Sequence, residues 1–193
     1  MHKHLHRLER VWVDWPNYFI TTCTFERRPI LTSRAVAEIL INEWRNAHSR
    51  HGWAIGRYVI MPDHVHFFCS AELDAKTLPT FMQAWKQWTS KRIVRELKLS
   101  GKVWQEEFFD HVLRSSESYS QKWDYVKENP VRAGLVMGSD EWPWQGEVES
   151  LMPVAGIGDA GFRLTPGRDH RSRLQGYSGS IQRFGSRNFQ KKC

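Results

Sequence analysis

Cysteine is scarce in this chain: three in 193 residues, Cys23, Cys69 and Cys193, with no CxxC pair among them. An odd and scattered set excludes a disulfide framework or a zinc knuckle and suits a reducing compartment. Long apolar runs are missing as well. No stretch approaches the roughly 18 apolar residues that a spanning helix needs, so no membrane span is expected. The opening residues, Met1-His2-Lys3-His4-Leu5-His6, lack the apolar segment of a secretory signal, which points to a cytoplasmic protein. No glycine-rich phosphate loop occurs, so no nucleotide cofactor is expected. Acidic residues are in deficit: 21 Asp and Glu against 28 Lys and Arg leave a formal charge of +7. That balance suits an anionic partner, and equally suits plain solubility.

Aromatic residues are plentiful, with ten Trp and ten Phe, and the length fits one domain with a real core plus a tail. Tyr18 to Phe25 is β-branched and aromatic and predicts a first strand. Ser33 caps a helix expected to run to about His51, with Val36, Ile39, Leu40, Trp44 and Ala47 on one face and Gly52 at its end. Trp53–Ile60 and His64–Ser70 predict an antiparallel hairpin around a short corner. A second helix is expected from Thr77 or Pro79 to about Leu99, with Phe81, Trp85, Trp88 and Val94 as its apolar stripe. Lys86, Lys91, Arg92 and Arg95 fall largely off that stripe, as either a solvated face or a DNA-facing one. Phe108–Leu113 predicts a fourth strand. The order β-α-β-β-α-β is the split, ferredoxin-like pattern: an α+β domain with an antiparallel sheet and both helices on one face.

A third helix, begun at Ser115 or Ser116, is expected to run to about Glu128, before Asn129-Pro130. Tyr125 and Asn129 are i, i+4 neighbours on it, whereas Tyr119 points elsewhere. Trp142-Pro143-Trp144 reads as a loop whose indoles cover the core. From residue 151 onward periodicity fades: seven of the thirteen glycines lie there, with eight basic side chains against two acidic ones. Arg163, Arg168, Arg171, Arg173, Arg183 and Arg187 are among the basic ones. The expected organisation is a catalytic domain over 1–148 and a basic tail over 149–193.

The chemistry concentrates in Tyr58-Val59-Ile60-Met61-Pro62-Asp63-His64-Val65-His66. Strand alternation sends His64 and His66 to one face and Val65 and Phe67 into a core. Two imidazoles one strand step apart can share a divalent cation, or can be satisfied structural histidines. His111 can pair with Asp110 or Arg114, contact DNA, or be structural. Arg132 can meet a phosphate or cap a helix end.

Three segments together resemble the single-tyrosine HUH transposases, in their REP-associated tyrosine transposase branch. They are the His64/His66 strand above, Trp104-Gln105-Glu106-Glu107-Phe108-Phe109-Asp110-His111, and Tyr125-Val126-Lys127-Glu128-Asn129-Pro130-Val131-Arg132-Ala133-Gly134-Leu135-Val136. The resemblance covers about residues 10–145. It implies a ferredoxin-like domain that cuts and rejoins single-stranded DNA with Mg²⁺ or Mn²⁺ and a tyrosine nucleophile. It further implies His64 and His66 as metal ligands, Tyr125 as nucleophile, and Asn129 as third ligand. Related enzymes carry Gln at the last position, and Asn reaches one methylene less far. Asp63, often Asn in the family, reads as a corner residue bonded to backbone rather than as a fourth ligand. The implied partner is a single-stranded DNA hairpin of the REP palindrome type, bound by a nucleoid-associated monomer. Lys86, Lys91, Arg92, Arg95, His111, Arg132 and the tail arginines are the candidate DNA contacts. Two rivals stand beside this reading. A histidine-triad nucleotide hydrolase needs a third alternating His where Phe68 stands. A binding module for structured single-stranded DNA or RNA would share the fold without the chemistry.

Overall fold

The structure, a computed structural model, describes residues 17–113 and 115–151. Five strands, β1 (Asn17–Cys23), β2 (Trp53–Ile60), β3 (His64–Ala71), β4 (Phe109–Leu113) and β5 (Gln145–Glu147), form one sheet. Its order is β4-β1-β3-β2-β5, every neighbouring pair antiparallel. β1 and β2 therefore run parallel with β3 between them, the split β-α-β arrangement that the element order predicts. β5 is an addition. Its residues Gln-Gly-Glu carry no strand pattern, and pairing with the β2 edge alone extends them.

The expected first helix divides into α1 (Arg34–Arg45) and α2 (Ala47–His51) at Asn46, whose side-chain amide donates to the Asn42 carbonyl oxygen at 2.6 Å. Gly52 ends α2 at φ 73°, a conformation that glycine adopts without a Cβ penalty. α3 (Leu78–Leu97) buries Leu78, Phe81, Met82, Trp85, Thr89 and Ile93. The predicted stripe is thus corrected at one place. Trp88 is half exposed, because the 3.6-residue period carries Thr89 inward instead, while Ile93 is buried and Val94 packs at the edge of the core. Thr89 fits there because its hydroxyl donates to the Trp85 carbonyl at 2.8 Å and accepts the Trp104 indole N–H at 2.9 Å.

α1 and α3 cover one sheet face. Trp44 stacks on Trp85 with ring centroids 5.7 Å apart, over Ile20, Val65 and Phe67. The other face is covered by α4 (Ser116–Lys127) and the chain after it, which enclose Phe19, Val59, Met61, Phe68, Leu113, Val126 and Trp142. Trp142 and Trp144 do cover core, and the Trp142 indole donates to the Ile60 carbonyl at 3.0 Å. A bulge between Ile55 and Tyr58 puts both of those side chains on the α1/α3 face despite their odd spacing. Gly56 sits in the bulge because Leu151 would lie 2.7 Å from a Cβ there. Among the described residues no helix is long and apolar enough to cross a membrane.

Candidate active site

Val65 and Phe67 are fully buried under α1 and α3, so alternation delivers His64 and His66 to the α4 face, beside Phe68. The corner before them is pinned. Met61 N–H donates to the His64 carbonyl at 2.8 Å, and Thr24 N–H donates to the Asp63 carbonyl at 2.8 Å.

Each imidazole is held through Nδ1. The His64 Nδ1 lies 2.6 Å from Asp63 Oδ1, and the His66 Nδ1 lies 2.8 Å from Thr21 Oγ1. Thr21 faces His66 because the β1–β3 register pairs the two residues directly. Holding Nδ1 leaves Nε2 as the atom that can meet a cation, the usual division of labour in metal-bound histidines. Phe19 stacks on the His66 ring at 5.5 Å, and the two imidazoles stand 4.7 Å apart edge to face. Burial, then the charges of His64, Lys122, Arg27 and Arg132, hold the His66 imidazole well below its ordinary pKa. Neutral imidazole is the form that binds metal.

The Asp63 carboxylate takes a backbone hydrogen bond at its own residue, as a corner residue would, and it also spans His64 Nδ1 and Arg27 Nε, the latter at 2.8 Å, so it orients the His64 ring. Burial pushes the Asp63 carboxyl up, but the His64 hydrogen bond and the His64 and Arg27 charges outweigh it and leave the group below its ordinary value. Arg27 reaches this position from a turn in which Glu26 and Arg27 have φ of 55° and 56°. Two consecutive left-handed non-glycine residues cost roughly 1–2 kcal/mol each. The turn is held by Thr24, whose hydroxyl bonds the Arg28 and Asp63 carbonyls at 2.8 and 3.0 Å. The same guanidinium donates to Cys23 Sγ at 2.7 Å.

α4 starts with a capping box of Ser115 and Ser118 and packs its Tyr119, Trp123 and Val126 side on the sheet. Tyr119 lies 4.5 Å from Phe68, burial raises its phenol pKa, and its hydroxyl takes a backbone hydrogen bond at Arg57. It is a packing residue. Tyr125, adjacent to buried Val126, is half exposed on the same helix. Lys122, one turn earlier, places Nζ 5.1 Å from the Phe19 ring that stacks on His66. Beyond α4, α5 (Asn129–Arg132) continues the chain as one helical turn. Arg132 lies 4.1 Å over the Tyr125 ring and donates to the Tyr125 carbonyl and to Asn129 Oδ1. Of the two uses anticipated for Arg132, the helix-end cap is seen, and the guanidinium also stands beside the tyrosine.

His111 also belongs to this face, since its register partner is Phe19. Asp110 has Ile20 as its register partner and so belongs to the opposite face of the strand. Arg114 lies outside the described residues, as do Arg163, Arg168, Arg171, Arg173, Arg183 and Arg187. The α3 bases are not brought to the site. Lys86 Nζ donates to the carbonyls of Gln105, Glu106 and Glu107 at 2.9, 3.2 and 2.8 Å. Arg92 pairs with buried Glu43 at 3.1 Å, a carboxylate also held by Arg50 at 2.9 Å. Lys91 lies over Trp88 at 5.3 Å, and Arg95 is exposed. All four ride on the helix that covers the other sheet face.

Two imidazoles with Nε2 left open on one face suit a divalent cation, and the amide oxygen of Asn129, the expected third donor, accepts from Arg132. Among the described residues no three His, Cys, Asp or Glu side chains form a metal-holding group.

Comparison with known proteins agrees with this geometry. A REP-associated tyrosine transposase of Escherichia coli is 27% identical over 113 residues, which are 54% of this chain and 63% of that protein. A relative in Haemophilus influenzae is 23% identical over 117 residues, 54% of this chain and 66% of its own length. The chain thus spans a little under two thirds of each. A solved structure of a REP-associated tyrosine transposase bound to a REP hairpin superposes with a TM-score of 0.58 at 20% identity, covering 73% of this chain and 82% of that one. It shares the fold. The family model for IS200-like transposases matches residues 14–129, well over half of the sequence, and the chain belongs to that family.

Proposed function

We propose that this chain is a metal-dependent nuclease and strand transferase for single-stranded DNA, acting beside REP-type hairpins through a covalent 5′-phosphotyrosine. The observation that carries the reading is the pair of histidines fixed through Nδ1 on the sheet face that α4 covers. In this reading His64, His66 and Asn129 hold Mg²⁺ or Mn²⁺. Such a cation would supply Lewis-acid stabilisation of the charge that develops on the scissile phosphate. Tyr125 Oη forms the new bond to phosphorus and the bond to the 3′ oxygen breaks. The phenolic proton passes to solvent, and the departing 3′ oxygen takes one up. The phosphodiester energy is kept in the tyrosyl ester, so rejoining needs no nucleotide. A phenol with an ordinary pKa near 10 is a weak nucleophile at neutral pH. The guanidinium of Arg132 over the Tyr125 ring favours the negative charge that develops on attack.

His111 and Arg132, on the histidine side, are the DNA contacts among the described residues in this reading. The arginines of 149–193 supply further phosphate contacts. The protein acts as a monomer in the cytoplasm, associated with the nucleoid.

The test is a denaturing gel of protein incubated with labelled hairpin DNA and Mn²⁺. A metal-dependent covalent band that Tyr125→Phe reduces by at least about 10³-fold, with DNA binding intact, is expected. Tight binding without an adduct in any metal would establish a binding module instead. An adduct surviving Tyr125→Phe would reassign the nucleophile.

A further inference from the structure

We propose that Lys122 is a catalytic residue whose ammonium contacts a non-bridging oxygen of the phosphate that Tyr125 attacks. The inference rests on the nuclease reading and adds to it a residue that no sequence motif marks.

Three observations carry it. Lys122 and Tyr125 are i, i+3 neighbours on α4, so their side chains leave the helix side by side. Lys122 Nζ lies 5.1 Å from the Phe19 ring, and Phe19 stacks on His66 at 5.5 Å, so the ammonium lies against the ring that packs on the His66 imidazole. Its charge is also among those felt by the His66 ring. Finally, Lys122 is partly buried, and burial alone lowers its pKa from the ordinary lysine value. A desolvated ammonium gains more from an arriving phosphate than an exposed one, because less water is displaced and the local dielectric is lower.

The chemistry assigns distinct tasks. As charge builds on the non-bridging oxygens of the scissile phosphate, a positive group on α4 would share its stabilisation with a cation that His64 and His66 would hold. Lys122 leaves α4 beside Tyr125 and lies against the ring that stacks on His66, where its ammonium can meet one of those oxygens.

The experiment compares wild type, Lys122→Met and Lys122→Arg on hairpin DNA carrying either a normal phosphate or a methylphosphonate at the cleavage position, in both diastereomers, under single-turnover conditions. Lys122→Met is expected to slow adduct formation on the normal phosphate on the order of 100-fold. Lys122→Arg should recover most of that loss, and binding to an uncleavable hairpin should be little changed. On one methylphosphonate diastereomer, where the contacted oxygen is already gone, Lys122→Met should cost almost nothing further. A structural role would slow every substrate alike. Equal slowing on all three substrates, or no slowing, would overturn the inference while the nuclease reading stands. Absence of an adduct from wild type would overturn both.

Discussion

On one face of the sheet Trp44, Phe67, Phe81 and Trp85 are no more than 2% exposed, and two helices close over them. On the other, the same strands carry Thr21, His64, His66 and His111 among fewer apolar side chains, and α4 leaves Tyr125 half exposed. One layer of backbone separates them. The closed face gathers large rings in direct contact, where stability scales with buried area and packing. The open face spends its positions on polar groups, each held by another residue: Asp63 and Arg27 for His64, Thr21 for His66, Arg132 for Tyr125. The helices that seal the first face also fix Val65 and Phe67, which makes the histidine strand rigid. Stability and chemistry are divided across the sheet, and the rigid side sets the geometry of the reactive one.

Substitutions can break this division. Trp85→Ala should cost roughly 3–5 kcal/mol, a large share of the stability of a domain this size, read as a shifted chemical denaturation midpoint. His66→Ala should leave that midpoint nearly unchanged while abolishing the rise in melting temperature that saturating Mn²⁺ gives to wild type; a surviving rise would move the metal elsewhere. Asp63→Ala frees the His64 ring and should weaken Mn²⁺ binding about 10- to 100-fold by calorimetry. Asp63→Asn, which keeps an acceptor, should lose less. The mildest effect tests the faces directly. Exchanging Lys91 and Arg95 for Gln should change hairpin affinity less than about twofold, as exposed charges remote from the site. Deleting 149–193 should instead flatten the salt dependence of binding, which follows the number of phosphates neutralised. Equal effects of the two changes would put DNA on both faces.

Where sequence reading succeeded and failed follows from the range of the interactions involved. The alternation of His64, Val65, His66 and Phe67 correctly divided the two histidines from the core. The i, i+4 spacing kept Tyr125 near Asn129. The α3 stripe slipped at Trp88, while Val94 packs at the edge of the core, because several registers of a 3.6-residue period fit an aromatic-rich helix, and only packing against α1 selects one. The α3 bases were plausible DNA contacts by charge alone; that Lys86 caps three carbonyls and Arg92 holds a buried carboxylate appears only when distant segments meet.

By itself the sequence determined the first four strands, the main helices, their order, and which residues within each share a side, because backbone geometry imposes periods of 2 and 3.6 on any chain. It determined the family through three motifs. The tertiary structure alone decided what those sides face. Thr21 meets His66 through the β1–β3 register, Arg27 meets Asp63 across 36 positions through a strained turn, and Lys122 meets Phe19 by the docking of α4. Such contacts carry no local signature, since they depend on which elements pair and at what register, and pairing is settled only when the whole core closes.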